Sequence, residues 1–206
     1  MQHVKLFEEV KVVYSFDELS PEAQRKVLDD YRDINVEHTN WWEDEIEHQQ
    51  DLLREQGLPD ADIQFSGFYS QGDGASFTAS VDRVNVFLKT IGMPELPQEV
   101  EECFSISVRR VQSNYVHERS VSLDVEIECD EDVIETHPFG FEVPFEWRLK
   151  ELAEEIEERG GEWLEQRCRQ IYRALEDEWD GLQSDESVED TLMANDYRFN
   201  AEGHTV

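Results

Sequence analysis

The 206-residue chain carries 50 Asp and Glu against 18 Lys and Arg, a formal charge of −32 at pH 7. Phosphates repel such a surface, which excludes direct binding to bare nucleic acid and disfavours an anionic membrane. With 38% apolar residues, five Trp, eleven Phe and six Tyr, there is still material for a core, and the length suits one compact domain or two small ones.

The elements follow in chain order. Residues 3–14 are apolar and β-branched toward their end, which predicts a strand. Ser20-Pro21 is a helix start, with Ser as N-cap and Pro in the first turn; Val27, Leu28 and Tyr31 then give a helical face to about residue 34. Asn40-Trp41-Trp42-Glu43 is an Asn-x-x-Glu analogue of the capping box. Trp42, Ile46 and Leu53 recur at helical spacing, and Gly57 closes that helix. Residues 63–70 and 75–81 read as two strands of a hairpin. Their link, Gln71-Gly72-Asp73-Gly74, contains Asp-Gly, a dipeptide that tolerates positive φ. Residues 82–91 read as a helix packing on the hairpin.

Residues 103–112 and 119–129 alternate as a second antiparallel hairpin, joined near Asn114. Val121, Leu123, Val125, Ile127 and Cys129 form one face, expected to be buried. Ser122, Asp124, Glu126 and Glu128 form the other, expected to be wet. From Pro144 the period becomes helical. Phe145, Leu149, Leu152 and Ile156 make one stripe; Leu164, Cys168, Ile171, Leu175, Trp179 and Leu182 make another. Gly160-Gly161 between them predicts a break or kink. Residues 185–195 read as a last short helix and 197–199 as a short strand. The fold expected is α+β, an antiparallel sheet of two hairpins plus terminal strands with helices on one side. We read residues 1–206 as a single acidic domain with a long helical part over 144–195.

The charge is uneven. Residues 30–62 carry −9, residues 95–142 carry −10 and residues 143–206 carry −11, whereas residues 63–94 are neutral on balance. That island holds Phe65, Phe68, Tyr69, Phe77 and Phe87, which fits either a core hairpin or the contact of a homodimer. Glu outnumbers Asp 32 to 18, and the uneven placement suits a local purpose better than general salt adaptation.

Enzymatic signatures are missing: no GxSxG, no phosphate-binding glycine loop, no HExxH and no GxGxxG. His3, His38, His48, His117, His137 and His204 lie without metal-ligand spacing. We therefore expect no catalytic residue, no metal and no cofactor. Cys103, Cys129 and Cys168 are odd in number and have no CxxC, which argues against a disulfide framework and for a reducing cytosol. No stretch approaches the ~18–20 apolar residues of a membrane helix, and the first ten residues lack a secretory layout.

Two features point to binding. The first is the acidic ladder Asp124, Glu126, Glu128, running on into Asp130, Glu131 and Asp132. Alternate strand residues stand about 6.6–6.8 Å apart, and each nucleic-acid strand places one phosphate per ~3.4 Å of axis, so a strand beside a second acidic element approaches that density. The second element is the band Glu151, Glu154, Glu155, Glu157, Glu158 and Glu162. Its like-charged i,i+4 neighbours each cost a few tenths of a kcal/mol, and a sequence shaped only for stability would pair them with Lys. Ser70, Gln71, Gly72, Asp73 and Gly74 form a candidate recognition loop at a hairpin tip, or simply a turn that needs glycine.

The runs YSFDELSPEAQ (14–24), YRDINV (31–36) with Trp41-Trp42-Glu43, SGFYSQGDGASF (66–77) and SDESVEDTLMANDYRF (184–199), followed by Glu202-Gly203, resemble a family of uncharacterised acidic proteins encoded by tailed phages, some of them labelled antitoxins. The resemblance covers most of the chain and implies a phage origin and a role in the host cytoplasm. It brings no catalytic residues. The function expected is inhibition of a host nucleic-acid-handling or defence protein, a nuclease or CRISPR effector, by acidic mimicry of nucleic acid in its basic groove. The alternatives are an antitoxin-like regulator of a basic protein without mimicry, and a small enzyme acting on a defence signal.

Overall fold

A computed structural model describes residues 12–111, 115–129 and 145–206. They form two compact units. The smaller takes the described residues up to Trp41 together with Asp177–Val206; the larger is Trp42–Glu176.

In the smaller unit, α1 (Pro21–Asp30) starts as its sequence dictates. The Ser20 hydroxyl accepts the Ala23 N–H at 3.3 Å and Pro21 takes the first helical position. The helix stops at Asp30, a turn short of the expected end, and residues 31–38 continue as turns. The last helix (Asp185–Ala194) is capped in the same way by Ser184, which accepts the Ser187 N–H at 3.2 Å. Phe16, Val27, Leu28, Val188, Leu192 and Phe199 fill the core. Asn35 binds the ends of two helices: its Nδ2 donates to the Leu182 carbonyl at 2.9 Å and its Oδ1 accepts the Thr191 hydroxyl at 2.7 Å. One of the orphan carbonyls of a helix C-terminus is thereby satisfied. The expected strand over 197–199 is reduced to single bridges from Phe199 to Tyr14 and to Thr205. Residues 3–11 of the expected first strand lie outside the described residues.

In the larger unit, α2 (Glu43–Glu55) begins two residues later than the capping-box reading, with Trp42 in the N-cap position. Its other end is as expected. Gly57, at φ +95°, lets the Leu58 and Gly57 N–H groups turn back to the carbonyls of Leu53 and Arg54, the 6→1 and 5→2 bonds of a Schellman cap. Strands β1 (Asp62–Phe65), β2 (Ala75–Ser80), β3 (Phe104–Arg110) and β4 (Val121–Ile127) form one antiparallel sheet in the order β1-β2-β3-β4. Between them lie α3 (Val84–Thr90) and the single-turn α4 (Gln98–Glu101). The fold is α+β with the helices on one side of the sheet.

That side is apolar because alternate strand residues point to it. Phe77, Phe104, Ile106 and Val108 are buried, and Phe77 and Phe87 both meet the Trp163 ring edge-on, at 6.3 and 5.4 Å. Trp163 belongs to α5 (Phe145–Leu182), a continuous helix of 38 residues. Gly160-Gly161 therefore neither breaks nor ends it. Gly160 is buried where α5 crosses β4, and a side chain there would collide with Leu123; the glycine supplies room rather than a hinge.

The β4 ladder is only partly as expected. Val121 is buried, but Leu123, Val125 and Ile127 are half-exposed. β4 is an edge strand, and no strand pairs with its outer flank among the described residues. The cysteine reading is also corrected. Cys103 and Cys129 are joined as a disulfide with Cα atoms 4.5 Å apart, and only Cys168 is free. The register pairs Phe104 with Ile127, so the residues just beyond that rung are neighbours although 26 positions separate them in sequence.

Candidate protein-binding surface

The inward stripe of α5 is Leu149, Ala153, Ile156, Gly160, Leu164, Cys168, Ile171 and Leu175. At 3.6 residues per turn, the intervening Glu151, Glu154, Glu155, Glu157, Glu158 and Glu162 must face outward, and all six are exposed. Arg148 pairs with Glu151 at 3.0 Å and Arg159 with Glu155 at 2.8 Å. Glu154, Glu157, Glu158 and Glu162 have no ion-pair partner among the described residues. Four such carboxylates over roughly 12 Å of helix stand on average about 4 Å apart along the axis. That is close to the ~3.4 Å per phosphate of one nucleic-acid strand.

The strand acids are held differently. Ser105, Ser107 and Arg109 on β3 stand opposite Glu126, Asp124 and Ser122 on β4. Arg109 reaches Asp124 at 2.9 Å and Glu126 at 3.1 Å, and donates to the Ser107 hydroxyl at 3.0 Å. Two of the three ladder carboxylates therefore share one cation, and the strand is less negative than its own sequence suggests. Glu128 is exposed. Asp130, Glu131 and Asp132 lie outside the described residues.

The candidate recognition loop is a nine-residue connection, Ser66–Gly74, between β1 and β2. Its bend is at Ser70–Asp73, where the Asp73 carboxylate accepts the Ser70 N–H at 2.7 Å and the Ser70 carbonyl accepts the Asp73 N–H at 3.1 Å. Gly72, at φ +98°, carries the left-handed residue, so the turn uses Gly72 rather than the Asp73-Gly74 step. Gly74 is buried, and a Cβ there would lie 3.0 Å from the His117 Cα. Ser70, Gln71 and Gly72 are exposed at the tip, beside Tyr69 at 77%. The loop base is anchored on α5, where the Tyr172 hydroxyl donates to the Gly67 carbonyl at 3.3 Å and its ring lies 5.5 Å from that of Phe68.

Of the aromatics in the neutral island, Phe77 and Phe87 have no exposed surface and serve the core. Phe65 and Phe68 are half-buried and stack at 5.9 Å. Among the described residues no group of three or more His, Cys, Asp or Glu side chains is arranged to hold a metal ion. No helix among them is long and apolar enough to cross a membrane.

A family model, described as a domain of unknown function (DUF8835), matches residues 41–185. The chain belongs to the DUF8835 family. No curated protein matches it, and no solved structure does. The matched span contains the whole of the larger unit, Trp42–Glu176, so the DUF8835 region is the sheet with α2 to α4 and all of α5. The glutamate band, the Arg109-bridged ladder and the Ser66–Gly74 loop all lie within it.

Sequence reasoning placed the DUF8835 glutamate band on the outside of a helix, as it is. It missed Arg109, whose effect depends on strand register. It also missed a cavity of about 330 Å³ beside the loop tip, lined by Gly72, Tyr115, His117, Arg119 and Ser120. The sequence signal was weak, because the residues come from two stretches more than 40 positions apart.

Proposed function

We propose that this DUF8835 chain is an acidic decoy: it binds a protein that handles nucleic acid and occupies that protein's basic groove. The observation that carries the reading is the outer face of α5, where Glu154, Glu157, Glu158 and Glu162 are exposed, unpaired among the described residues, and spaced along the axis close to the phosphates of one strand of a duplex. The like-charge cost within the band supports a purpose other than stability. Complementary charge would speed association and make it salt-sensitive. The resemblance to tailed-phage proteins supports a host defence nuclease or CRISPR effector as the target, met in the host cytoplasm. In this reading the protein inhibits by occupancy and performs no chemistry.

The binding face is assigned to α5 rather than to β4, because Arg109 offsets the charge of Asp124 and Glu126. Copurification from host lysate identifies the partner, and competition then tests the mechanism. The complex is mixed with the partner's own nucleic acid, and release is measured across a salt series. The nucleic acid should displace the protein, and binding should weaken as salt rises. Reversing Glu154, Glu157, Glu158 and Glu162 to Lys together should abolish binding, while any one of them changed to Ala should cost only ~0–1 kcal/mol. Simultaneous binding of both ligands, with neither affinity changed, rules out the decoy and leaves the regulator without mimicry.

A further inference from the structure

The arginines of this chain are nearly all engaged. Arg32, Arg54, Arg109, Arg148, Arg159, Arg169 and Arg198 hold carboxylates. Arg25, Arg83, Arg110 and Arg167 donate to carbonyl oxygens of the backbone or of Gln side chains. Among the described residues only Arg119 and Arg173 have neither a carboxylate nor a carbonyl partner. Arg119 is exposed and has no ion-pair partner among the described residues.

Its neighbour explains why. Glu118 is the nearest acid in sequence, but it turns to α5 and accepts from Arg169 at 3.2 Å. The His117 ring is committed as well. Its Nδ1 accepts the backbone N–H of Arg119 at 3.0 Å, which places the ring proton of the neutral imidazole on Nε2 as a donor. The Glu118 carboxylate also lies 3.3 Å from that Nδ1. The shorter backbone bond decides the tautomer, and Arg169 serves the carboxylate.

Arg119 and His117 line the 330 Å³ cavity together with Tyr115, Ser120 and the backbone of Gly72. Tyr115 is 61% exposed, so its ring has a free face. Nothing stands within 4 Å of the position a Gly72 Cβ would take, so the loop tip leaves that rim open. The cavity offers a planar fork for an oxyanion, an aromatic face, the Tyr115 hydroxyl and the His117 imidazole as donors, and a volume at the lower end of small-ligand sites, ~300–1,000 Å³. The −32 field repels a polyanion, which leaves a small ligand.

We propose that this cavity binds a small anion that joins an oxyanion to a planar ring, of nucleoside-monophosphate size, with Arg119 on the oxyanion and Tyr115 stacked on the ring. The site is separate from the glutamate band and does not depend on the decoy reading.

The test is a titration of the full chain, isotope-labelled for NMR, with AMP, adenosine, inorganic phosphate and indole-3-carboxylate. AMP should shift the resonances of Gly72, Tyr115 and Arg119. Arg119→Gln should weaken it about tenfold or more, the scale of a lost charged hydrogen-bond pair, and Tyr115→Ala several-fold. Arg173→Gln, which removes an exposed α5 arginine with no ion-pair partner among the described residues, should leave it unchanged. Indole-3-carboxylate binding in place of AMP keeps the site and names carboxylate as its oxyanion. Three outcomes overturn the proposal: no saturable shift with either ring-bearing anion, binding indifferent to Arg119→Gln, or inorganic phosphate binding as tightly as AMP. Arg119 and Tyr115 are both exposed, so unchanged thermal unfolding of the variants separates lost binding from lost fold.

Discussion

Gly160 of α5 lies against Leu123 of β4 so closely that a methyl group on Gly160 would stand inside the van der Waals shell of the Leu123 Cδ2 atom. A methyl on Gly161 meets nothing within 4 Å. Two adjacent glycines in one helix thus have opposite reasons to be there. Gly161→Ala should stabilise the protein by about 0.5–1 kcal/mol, the helix-propensity difference. Gly160→Ala gains the same propensity but overpacks the contact, a cost of ~1–3 kcal/mol, and should come out neutral to destabilising by up to ~2 kcal/mol. Urea denaturation of the two variants side by side checks this. Equal gains from both would show that the approach of helix and sheet is not tight.

The thiols should count as the fold dictates. Cys168 is buried, and desolvation raises its thiol to about 12, so almost no thiolate forms near neutrality and the native protein should not react with a disulfide reagent. Unfolding without reductant should release one thiol per chain, and unfolding after reduction three. Three thiols without reductant would mean that Cys103 and Cys129 are not joined.

Glu118 links stability to pH. Burial pushes its pKa up, but its own backbone N–H, Arg169 and the nearby His117 outweigh that and hold it below the ordinary 4.5. A carboxylate lowered on folding stabilises above its unfolded pKa, and that contribution is lost as pH falls through the folded value. Glu118→Gln should therefore be less stable than the parent at pH 7, and the gap should narrow as the pH is taken below 4.5. A difference that stays constant over this range would assign the effect to packing.

Arg167 is 7% exposed and donates to the Gln49 amide oxygen at 2.9 Å. Its Nε has no partner among the described residues, and burial lowers its pKa. A buried cation held by neutral partners is a poor contributor to stability. Arg167→Met should be neutral or stabilising, whereas Gln49→Leu, which strands the guanidinium, should cost about 2 kcal/mol. Thermal melts of the two variants distinguish the cases, and a loss larger for Arg167→Met would refute the argument.

Local chemistry made much of the fold legible. The cap at Ser20, the Gly57 stop, the existence of the β1–β2 hairpin, the β3–β4 alternation and the stripe of α5 each follow from residues within a few positions of one another. So does the outward placement of Glu154, Glu157, Glu158 and Glu162, because a helix has one period and its buried stripe leaves the rest to solvent.

What only the tertiary structure decided involves partners far apart in sequence. The disulfide of Cys103 with Cys129, the Arg109 bridge over Asp124 and Glu126, and the half-exposed Leu123 all depend on strand register and on which strand forms the edge. Gly160 depends on where α5 crosses β4, and the Arg119 cavity on how the loop tip meets the start of β4. Propensity and period act over one or two turns of chain. Contacts between elements are set by the packing of whole faces, and no stretch of sequence carries that information alone.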